Sequence, residues 1–83
     1  DGDYEEYYVN GQLWKKGACK NGKFDGVFES YRENGKLVLK ITYKDGMRDG
    51  LKESYYQNGD VSSREIYKRG KLIKWNGKFI KQE

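Results

Sequence analysis

Three glutamates recur every 24 residues, at Glu5, Glu29 and Glu53, and their type and spacing could support acid–base chemistry. The chain has no histidine, which is the commonest general base and metal ligand. Its serines have no base close to them in the sequence, and no glycine-rich loop has the spacing that cradles phosphate. The single cysteine, Cys19, excludes an internal disulfide and a cysteine-based metal site, and we expect it to be a small packing residue. The sequence therefore predicts no enzymatic activity, no cofactor and no metal site.

The elements that must position these glutamates are copies of one unit. Nine of the eleven glycines fall into three columns with an ungapped spacing of 24 residues: Gly2, Gly26 and Gly50; Gly11, Gly35 and Gly59; Gly22, Gly46 and Gly70. Such a pattern predicts a structural unit repeated three times. Because each unit contacts only its neighbours, repeat proteins present extended surfaces, which favours binding over catalysis.

Two sets of turns divide each unit into strands. Asn-Gly pairs at 10–11, 34–35 and 58–59 separate β-prone runs, and we expect type I′ hairpin turns there. A second set of turns, at 21–22, 45–46 and 69–70, begins 11 residues later each time. This alternation predicts an all-β, antiparallel up-and-down meander with bends or bulges at Gly26 and Gly50. We expect a single domain over 1–83, with repeats at 2–25, 26–49 and 50–73 and a terminal cap at 74–83.

Charges give an independent indication of the hairpin register. If each Asn-Gly pair is a two-residue loop, Glu5 faces Lys16, Glu29 faces Lys40 and Glu53 faces Arg64. Opposite charges then meet at the same position of all three hairpins, and each pair contributes about 0.2–1 kcal/mol. This pairing explains the glutamate column better than catalysis does.

Alternation along the strands divides the side chains between two faces, and we expect the face richer in aliphatic residues to be the more buried one. That face would carry Tyr4, Tyr8, Leu13, Phe24, Phe28, Leu37, Leu39, Ile41, Tyr43, Tyr56, Val61 and Tyr67. The other would carry the charged pairs with Tyr7, Trp14, Val27, Tyr31, Val38, Leu51, Tyr55 and Ile66. Because both faces are partly apolar, we expect strong curvature, self-association or a partner on one side.

The composition is that of a thin, polar domain. Hydrophobic residues make up 35% of the 83 residues and charged residues 36%, so a thick core is out of reach. The net charge of +4 is spread along the chain, and nucleic acid is therefore not an expected partner. No apolar run has membrane-spanning length, and we recognise no signal peptide. The start at Asp1, without methionine, leads us to expect a piece of a longer chain, and we expect a cytoplasmic location.

Residues 26–50, GVFESYRENGKLVLKITYKDGMRDG, show the unit best. The chain resembles the MORN-repeat-variant family over residues 2–73, since bacterial members carry tandem units of the kind Y-x-x-N-G-K-L…Y-K-D-G-K-x-D-G. The resemblance implies a sheet of β-hairpin repeats without enzymatic activity of its own. It also implies interaction roles, because many bacterial members are described as antitoxins and related arrays act in scaffolding and at membranes.

The sequence departs from the family pattern at two places. Lys52 occupies the aromatic column of Tyr4 and Phe28, and an Asn-Gly pair at 76–77 follows Gly70 too early for a fourth unit. A terminal repeat is expected to be atypical because it closes the stack. We interpret 71–83 as a capping hairpin or edge strand, in which Lys81 and Glu83 discourage further pairing.

The sequence thus predicts a module that binds a protein partner, in an antitoxin-like or scaffolding role. The expected binding surface is formed by Tyr7, Trp14, Tyr31 and Tyr55, or by Tyr8 and Tyr56 if the faces are reversed. The alternative is peripheral binding to anionic membranes through a basic turn edge, which consists of Lys20, Lys23, Lys44, Arg48, Lys68, Arg69 and Lys71. A weaker alternative is carbohydrate stacking on the aromatic face.

Overall fold

A computed structural model describes residues 2–79, and every regular element among them is a β-strand. The strands are β1 (Gly2–Tyr7), β2 (Leu13–Lys20), β3 (Lys23–Phe24), β4 (Gly26–Tyr31), β5 (Leu37–Lys44), β6 (Met47–Tyr55), β7 (Val61–Lys68), β8 (Lys71–Trp75) and β9 (Lys78–Phe79). They form one antiparallel sheet in the order β1-β2-β4-β5-β6-β7-β8-β9, with β3 paired to β2. The predicted all-β meander is confirmed.

The Asn-Gly pairs at 10–11, 34–35 and 58–59 do not form the predicted type I′ turns. Only the glycine of each pair has a positive φ, and its N–H donates to the carbonyl three residues earlier, as from Gly11 to Tyr8. These are three-residue loops in which a type I turn is followed by a left-handed glycine. Asparagine is used there for its side chain: Oδ1 of Asn34 accepts the Lys36 N–H at 3.0 Å, and Asn10 and Asn58 bind in the same way.

The type I′ turns lie instead in the second set. Both central residues have positive φ at 21–22, 45–46, 69–70 and 76–77, for example 51° at Arg69 and 84° at Gly70. The flanking residues pair directly, as Lys44 does with Met47 and Lys68 with Lys71, so each loop contains two residues. Three of these four turns have Asn or Asp first, the residues that tolerate this conformation best.

The predicted register of the charged pairs is nevertheless correct, because two irregularities cancel. The three-residue loop shifts the pairing by one residue, so that Tyr7 lies opposite Leu13. One extra residue on the second strand, Trp14, restores it, and Glu6 pairs with Lys15. The second and third hairpins have the same compensation, at Val38 and Ser62. The rungs Glu5–Lys16, Glu29–Lys40 and Glu53–Arg64 are therefore present as predicted.

These bulges correct one part of the predicted division into faces. Leu13, Leu37 and Val61 pair with Tyr7, Tyr31 and Tyr55, so they share a face with these tyrosines and with the charged pairs. Simple alternation had assigned them to the opposite face, because it does not count the extra residue in each second strand. We call the face with the charged pairs the ladder face and the opposite one the cluster face.

The cluster face contains the buried side chains, as predicted. Ile41 is 4% exposed and Tyr67 is 8% exposed. Phe24 makes ring contacts with Tyr4, Phe28 and Tyr43, with centroids 5.3–5.5 Å apart. These rings close over Gly17, where a Cβ would lie 2.9 Å from the Phe28 ring. The described part of the chain measures 45 × 35 × 14 Å, so the fold is a single layer. Its most buried side chains lie on one face of the sheet, the cluster face.

Neighbouring units are joined by repeated hydrogen bonds at the type I′ edge. The Gly46 N–H donates to the Phe24 carbonyl and the Gly70 N–H to the Arg48 carbonyl, each at 2.8 Å. The aspartate before each repeat glycine accepts from the next turn, since Asp25 Oδ2 receives the Asp45 N–H and Asp49 Oδ2 receives the Arg69 N–H at 3.3 Å. The repeated Asp-Gly dipeptide therefore connects one unit to the next. Bends or bulges were predicted at Gly26 and Gly50. These glycines have φ of 113° and 106°, Gly26 follows the break between β3 and β4, and the β5–β6 register is irregular opposite Gly50.

The terminal cap is a short hairpin formed by β8 and β9, as predicted. Asn76 takes both backbone groups of Arg64: its N–H donates to the Arg64 carbonyl at 2.6 Å, and its Oδ1 accepts the Arg64 N–H at 2.8 Å. Asn76 thus supplies the hydrogen bonds to the β7 backbone at Arg64 that a strand of a further unit would otherwise make. The predicted role of Lys81 and Glu83 lies outside the described residues.

Candidate interaction surface

A row of alternating charges crosses the ladder face. Its members are Glu5, Lys16, Glu29, Lys40, Glu53 and Arg64, and each is paired in the sheet with the next. The sequence predicted the pairs within each hairpin; the structure adds the pairs between hairpins, Lys16 with Glu29 and Lys40 with Glu53. We call these six residues the charge row.

Glu53 is the most strongly bound carboxylate of the charge row. Its Oε2 accepts from Arg64 Nε at 2.7 Å, and its Oε1 accepts from the Tyr55 hydroxyl at 3.0 Å. The hydrogen bond from Arg64 lowers the pKa of the Glu53 carboxyl, and the one from Tyr55 acts in the same direction. Among residues 2–79 this is the one ion pair within 4.0 Å on the ladder face.

The predicted tyrosine column lies beside the charge row. Tyr7, Tyr31 and Tyr55 each follow a row glutamate by two residues, so the ring and the carboxylate share the ladder face. The Glu5 charge raises the pKa of Tyr7, whereas partial burial is the largest cause that raises the pKa of Tyr31 and Tyr55. Tyr7 is 56% exposed, and the other two are half-buried. We call these three residues the tyrosine column.

Trp14, predicted to extend this column, packs elsewhere because it is the extra residue of a bulge. Its ring lies 5.6 Å from the Tyr8 ring, and Lys15 Nζ lies 4.0 Å from its centroid. None of the ring contacts found within residues 2–79 joins Trp14 to the tyrosine column. Carbohydrate stacking on this column stays a prediction, and it would involve the tyrosines without Trp14.

The alternative residues Tyr8 and Tyr56 lie at the three-residue loops. The Tyr8 hydroxyl donates to the Tyr31 carbonyl at 2.7 Å, which connects the first unit to the second. Tyr56 is 58% exposed and holds the backbone of its own loop through Asp60 and Gly59. Both residues therefore lie at the loop end of the hairpins, and Tyr8 reaches the tyrosine column through the backbone carbonyl of Tyr31.

A groove on the ladder face was not predicted. It has a volume of about 580 Å³ and is lined by the apolar side chains of Leu51, Val61 and Ile66, with Arg64 and Lys74 among its polar neighbours. Leu51 is 39% exposed and Val61 37%. The terminal hairpin forms one wall of the groove, through Asn76 and Gly77. The early Asn-Gly pair at 76–77 was the available signal, but the sequence does not show on which face that hairpin makes a wall.

The basic turn edge is present at the type I′ turns. Lys20 and Lys23 flank the first turn, Lys44 precedes the second, and Lys68 and Lys71 flank the third, with Arg69 at its tip. All of these side chains are exposed. Aspartates lie among them at positions 25, 45 and 49. The edge is therefore a mixed-charge surface with an excess of cations.

Arg48, also assigned to this edge, extends over the cluster face. Its guanidinium carbon lies 5.2 Å from the Tyr67 ring centroid, and Nη1 donates to the Tyr67 hydroxyl at 3.4 Å. That hydroxyl donates to Glu65 at 2.6 Å, and this hydrogen bond is the largest cause that raises the pKa of Tyr67. Glu65 also pairs with Lys52 at 3.7 Å. In the third unit a polar network thus replaces the aromatic cluster of the first two.

The fold and its two open faces define a class, a single-layer protein of tandem antiparallel β-hairpins. The profile of the MORN repeat variant family matches residues 1–23, 24–45 and 48–69. The chain therefore belongs to the MORN repeat variant family. No curated protein and no solved structure matches it significantly.

Two absences within the described residues bear on the kind of site. No cluster of three or more His, Cys, Asp or Glu residues in that part of the chain could hold a metal ion. No helix long and apolar enough to cross a membrane occurs within residues 2–79.

Proposed function

We propose that this chain is a non-enzymatic module that binds a protein partner on its ladder face. The tyrosine column would supply apolar contact area, and the charge row would orient the partner. The observation that supports this proposal is that the sheet is only 14 Å thick and that its ladder face bears large half-exposed side chains, over which no element of residues 2–79 packs as a second layer. Examples are Tyr7 at 56%, Val27 at 46% and Leu51 at 39% exposure.

The chemistry of the ladder face favours protein over a polyanion. Glutamates and cations alternate along the charge row, so their fields largely cancel and the row offers no continuous positive strip to a phosphate backbone. Tyrosine is enriched at protein interfaces because its ring buries apolar area while its hydroxyl keeps a polar contact. The Tyr55 hydroxyl donates to Glu53 and could exchange that bond for one to a partner, and Tyr7 and Tyr31 stand in the same sequence relation to Glu5 and Glu29.

The spacing of the units suggests the shape of the partner. Equivalent tyrosines are two strands apart, which corresponds to about 10 Å. A partner segment that runs across the strands could therefore repeat one contact on each unit. An antitoxin-like role and a scaffolding role are both compatible with such a surface; they differ in whether one partner or several bind.

The test is quantitative affinity capture with the wild type and two variants. The double variant Tyr31→Ala, Tyr55→Ala should lose the specific partner at least about tenfold, since buried interface tyrosines commonly contribute more than about 1 kcal/mol each. Tyr56→Ala is the matched control, because it removes an exposed tyrosine from a loop apart from the column. Circular dichroism and thermal unfolding must show that all three proteins are folded. Equal capture by wild type and folded double variant would refute the proposed surface.

The basic turn edge supports a second candidate, peripheral binding to anionic membranes. MORN repeats are generally associated with protein or membrane binding, and the exposed lysines at all three turns carry this alternative. Co-sedimentation with vesicles containing 30% phosphatidylserine, about the fraction that gives a strong surface potential, should disappear by about 0.5 M salt. Lys20→Glu with Lys68→Glu should abolish it, whereas Tyr31→Ala should not. The absence of binding at low salt would eliminate this candidate.

A further inference from the structure

The outer edge of β1 corresponds to the strand edges that are paired where one repeat unit of this protein meets the next. In each later unit the equivalent first strand is covered: β4 pairs with β2, and β6 pairs with β5. β1 is the end strand of the sheet, and no described strand pairs with its outer edge. The contacts that the preceding unit makes with β4 and β6 therefore indicate which strand would fit against β1.

The two interior junctions use the same kinds of contact. A lysine of the earlier unit lies opposite a row glutamate, Lys16 with Glu29 and Lys40 with Glu53. A side chain of the earlier unit also donates to the carbonyl of the column tyrosine. The Tyr8 hydroxyl reaches the Tyr31 carbonyl at 2.7 Å.

The second junction repeats that bond with a different donor. Arg32 Nη2 donates to the Tyr55 carbonyl at 3.2 Å. A second side-chain bond is made two residues further on, from Asn10 Nδ2 to the Glu33 carbonyl at 3.2 Å and from Lys36 Nζ to the Gln57 carbonyl at 3.3 Å. The junction therefore consists of backbone pairing, one charged rung and two side-chain donors.

β1 presents the corresponding acceptors without donors. Glu5 occupies the position of Glu29, and Tyr7 and Val9 occupy those of Tyr31 and Glu33. Among the side-chain hydrogen bonds of residues 2–79, none reaches the carbonyl of Tyr7 or Val9. The Val9 side chain is fully exposed.

β1 is also more acidic than its copies. Asp3 stands where the later units have Val27 and Leu51, and Glu6 stands where they have Ser30 and Ser54. An approach of two β1 strands would therefore bring carboxylates together, which disfavours a second copy of β1 as the partner. A partner strand with cations would gain more here than at an interior junction.

We propose that the outer edge of β1 binds an antiparallel strand from another repeat hairpin, and that this strand carries two consecutive cations. The Lys15–Lys16 pair of β2 is an example of such a strand, because Lys15 and Lys16 face Glu6 and Glu5 within the first hairpin. The partner strand would place the same two charges on the outer side of the same glutamates. This inference uses the backbone edge of the sheet and does not depend on the proposed ladder-face interaction.

The test joins a further repeat to the full chain, so that a weak strand interaction acts at high effective concentration. A copy of residues 2–25 is placed directly before Gly2, which preserves the ungapped 24-residue period. Tm should rise by about 4 °C or more, and the β1 amides that point away from β2 should become protected from hydrogen exchange. A fusion of the same 24 residues in scrambled order is the control, and it should change neither.

The charge requirement is tested with a second fusion in which Lys15→Glu, Lys16→Glu, Glu5→Lys and Glu6→Lys are all made in the added copy alone, so that the rungs within its own hairpin keep opposite charges. This charge-reversed fusion should lose most of the protection at β1. If the unaltered fusion gives no more protection than the scrambled one, β1 is an acidic edge that excludes partners and the proposal is wrong. If the charge-reversed fusion protects β1 equally, the proposed cation requirement is wrong.

Discussion

Asparagine has two separate uses in this molecule, although the dipeptide Asn-Gly is the same in both. At Asn34 the backbone keeps an ordinary φ and the side chain binds the N–H two residues ahead, at 3.0 Å. At Asn76 the backbone itself is left-handed, with φ of 48°. Asn-Gly therefore identifies a turn from sequence but does not identify its type, because both properties of asparagine favour turns.

Glu53 gives the clearest residue-scale prediction. Its pKa is lowered by Arg64 and Tyr55, so its contribution to stability is present above its unfolded pKa and is lost as the pH falls through the lower folded pKa. Wild type should therefore lose stability below about pH 4.5, and Glu53→Gln should be less stable at pH 7 with a shallower dependence in that range.

Urea unfolding at pH 7 and at pH 3 measures this difference. Glu33→Gln, at an exposed loop position, is the matched control and should change the midpoint little at either pH. An equal loss of stability at both pH values would mean that Glu53 acts through its packing and not through its charge.

At the scale of the hairpin, the register was predictable and the turn geometry was not. The charged rungs supported the pairing, since a shift of one residue would place Glu29 opposite Leu39 and Glu53 opposite Ser63. The loop and the bulge each shift the alignment by one residue, in opposite directions. The charged pairs beyond the bulge therefore have the same register as in a regular hairpin, and they cannot reveal either irregularity. The faces of Leu13 and Trp14 could not be predicted for the same reason, because Leu13 lies between the loop and the bulge and Trp14 is the extra residue of the bulge.

The geometry of the type I′ turns indicates that Arg69 is poorly suited to its position. Arg69 has φ of 51°, whereas the equivalent positions are occupied by Asn21 and Asp45. A left-handed residue other than glycine, asparagine or aspartate costs about 1 kcal/mol. Arg69→Asn should therefore raise the unfolding free energy by up to about 1 kcal/mol, measured by urea unfolding. Its backbone bond to Asp49 is kept.

Asn34→Arg is the contrasting variant, because Asn34 has no positive φ and uses its side chain. It should destabilise by about 0.5–1 kcal/mol through the lost hydrogen bond. If Arg69→Asn were also destabilising, the difference between the two turn types would not control their residue preference.

At the scale of the whole molecule, stability depends on closing the last unit. Removal of residues 71–83 would expose β7 and the backbone groups of Arg64 that Asn76 now binds. Such a chain should lose about 5 °C or more in Tm and should self-associate through the exposed edge, as seen by light scattering. A chain that ends at Phe79 keeps the terminal hairpin and is the control. Equal Tm values for the two truncated chains would show that the hairpin is not a cap.

The order of charges along the charge row has a consequence for the molecule as a whole. Each hairpin places its glutamate before its cation, so the three small separations of charge point in the same direction and add to an electric dipole along the stacking axis. β1, with Asp3, Glu5 and Glu6, lies at the negative end, and β8 and β9, with Lys71, Lys74 and Lys78, lie at the positive end. In dilute salt a charged surface would orient the protein before contact. The two ends are seven strand spacings apart, about 34 Å. At physiological ionic strength, screening over about 8 Å therefore lets them attract opposite charges independently.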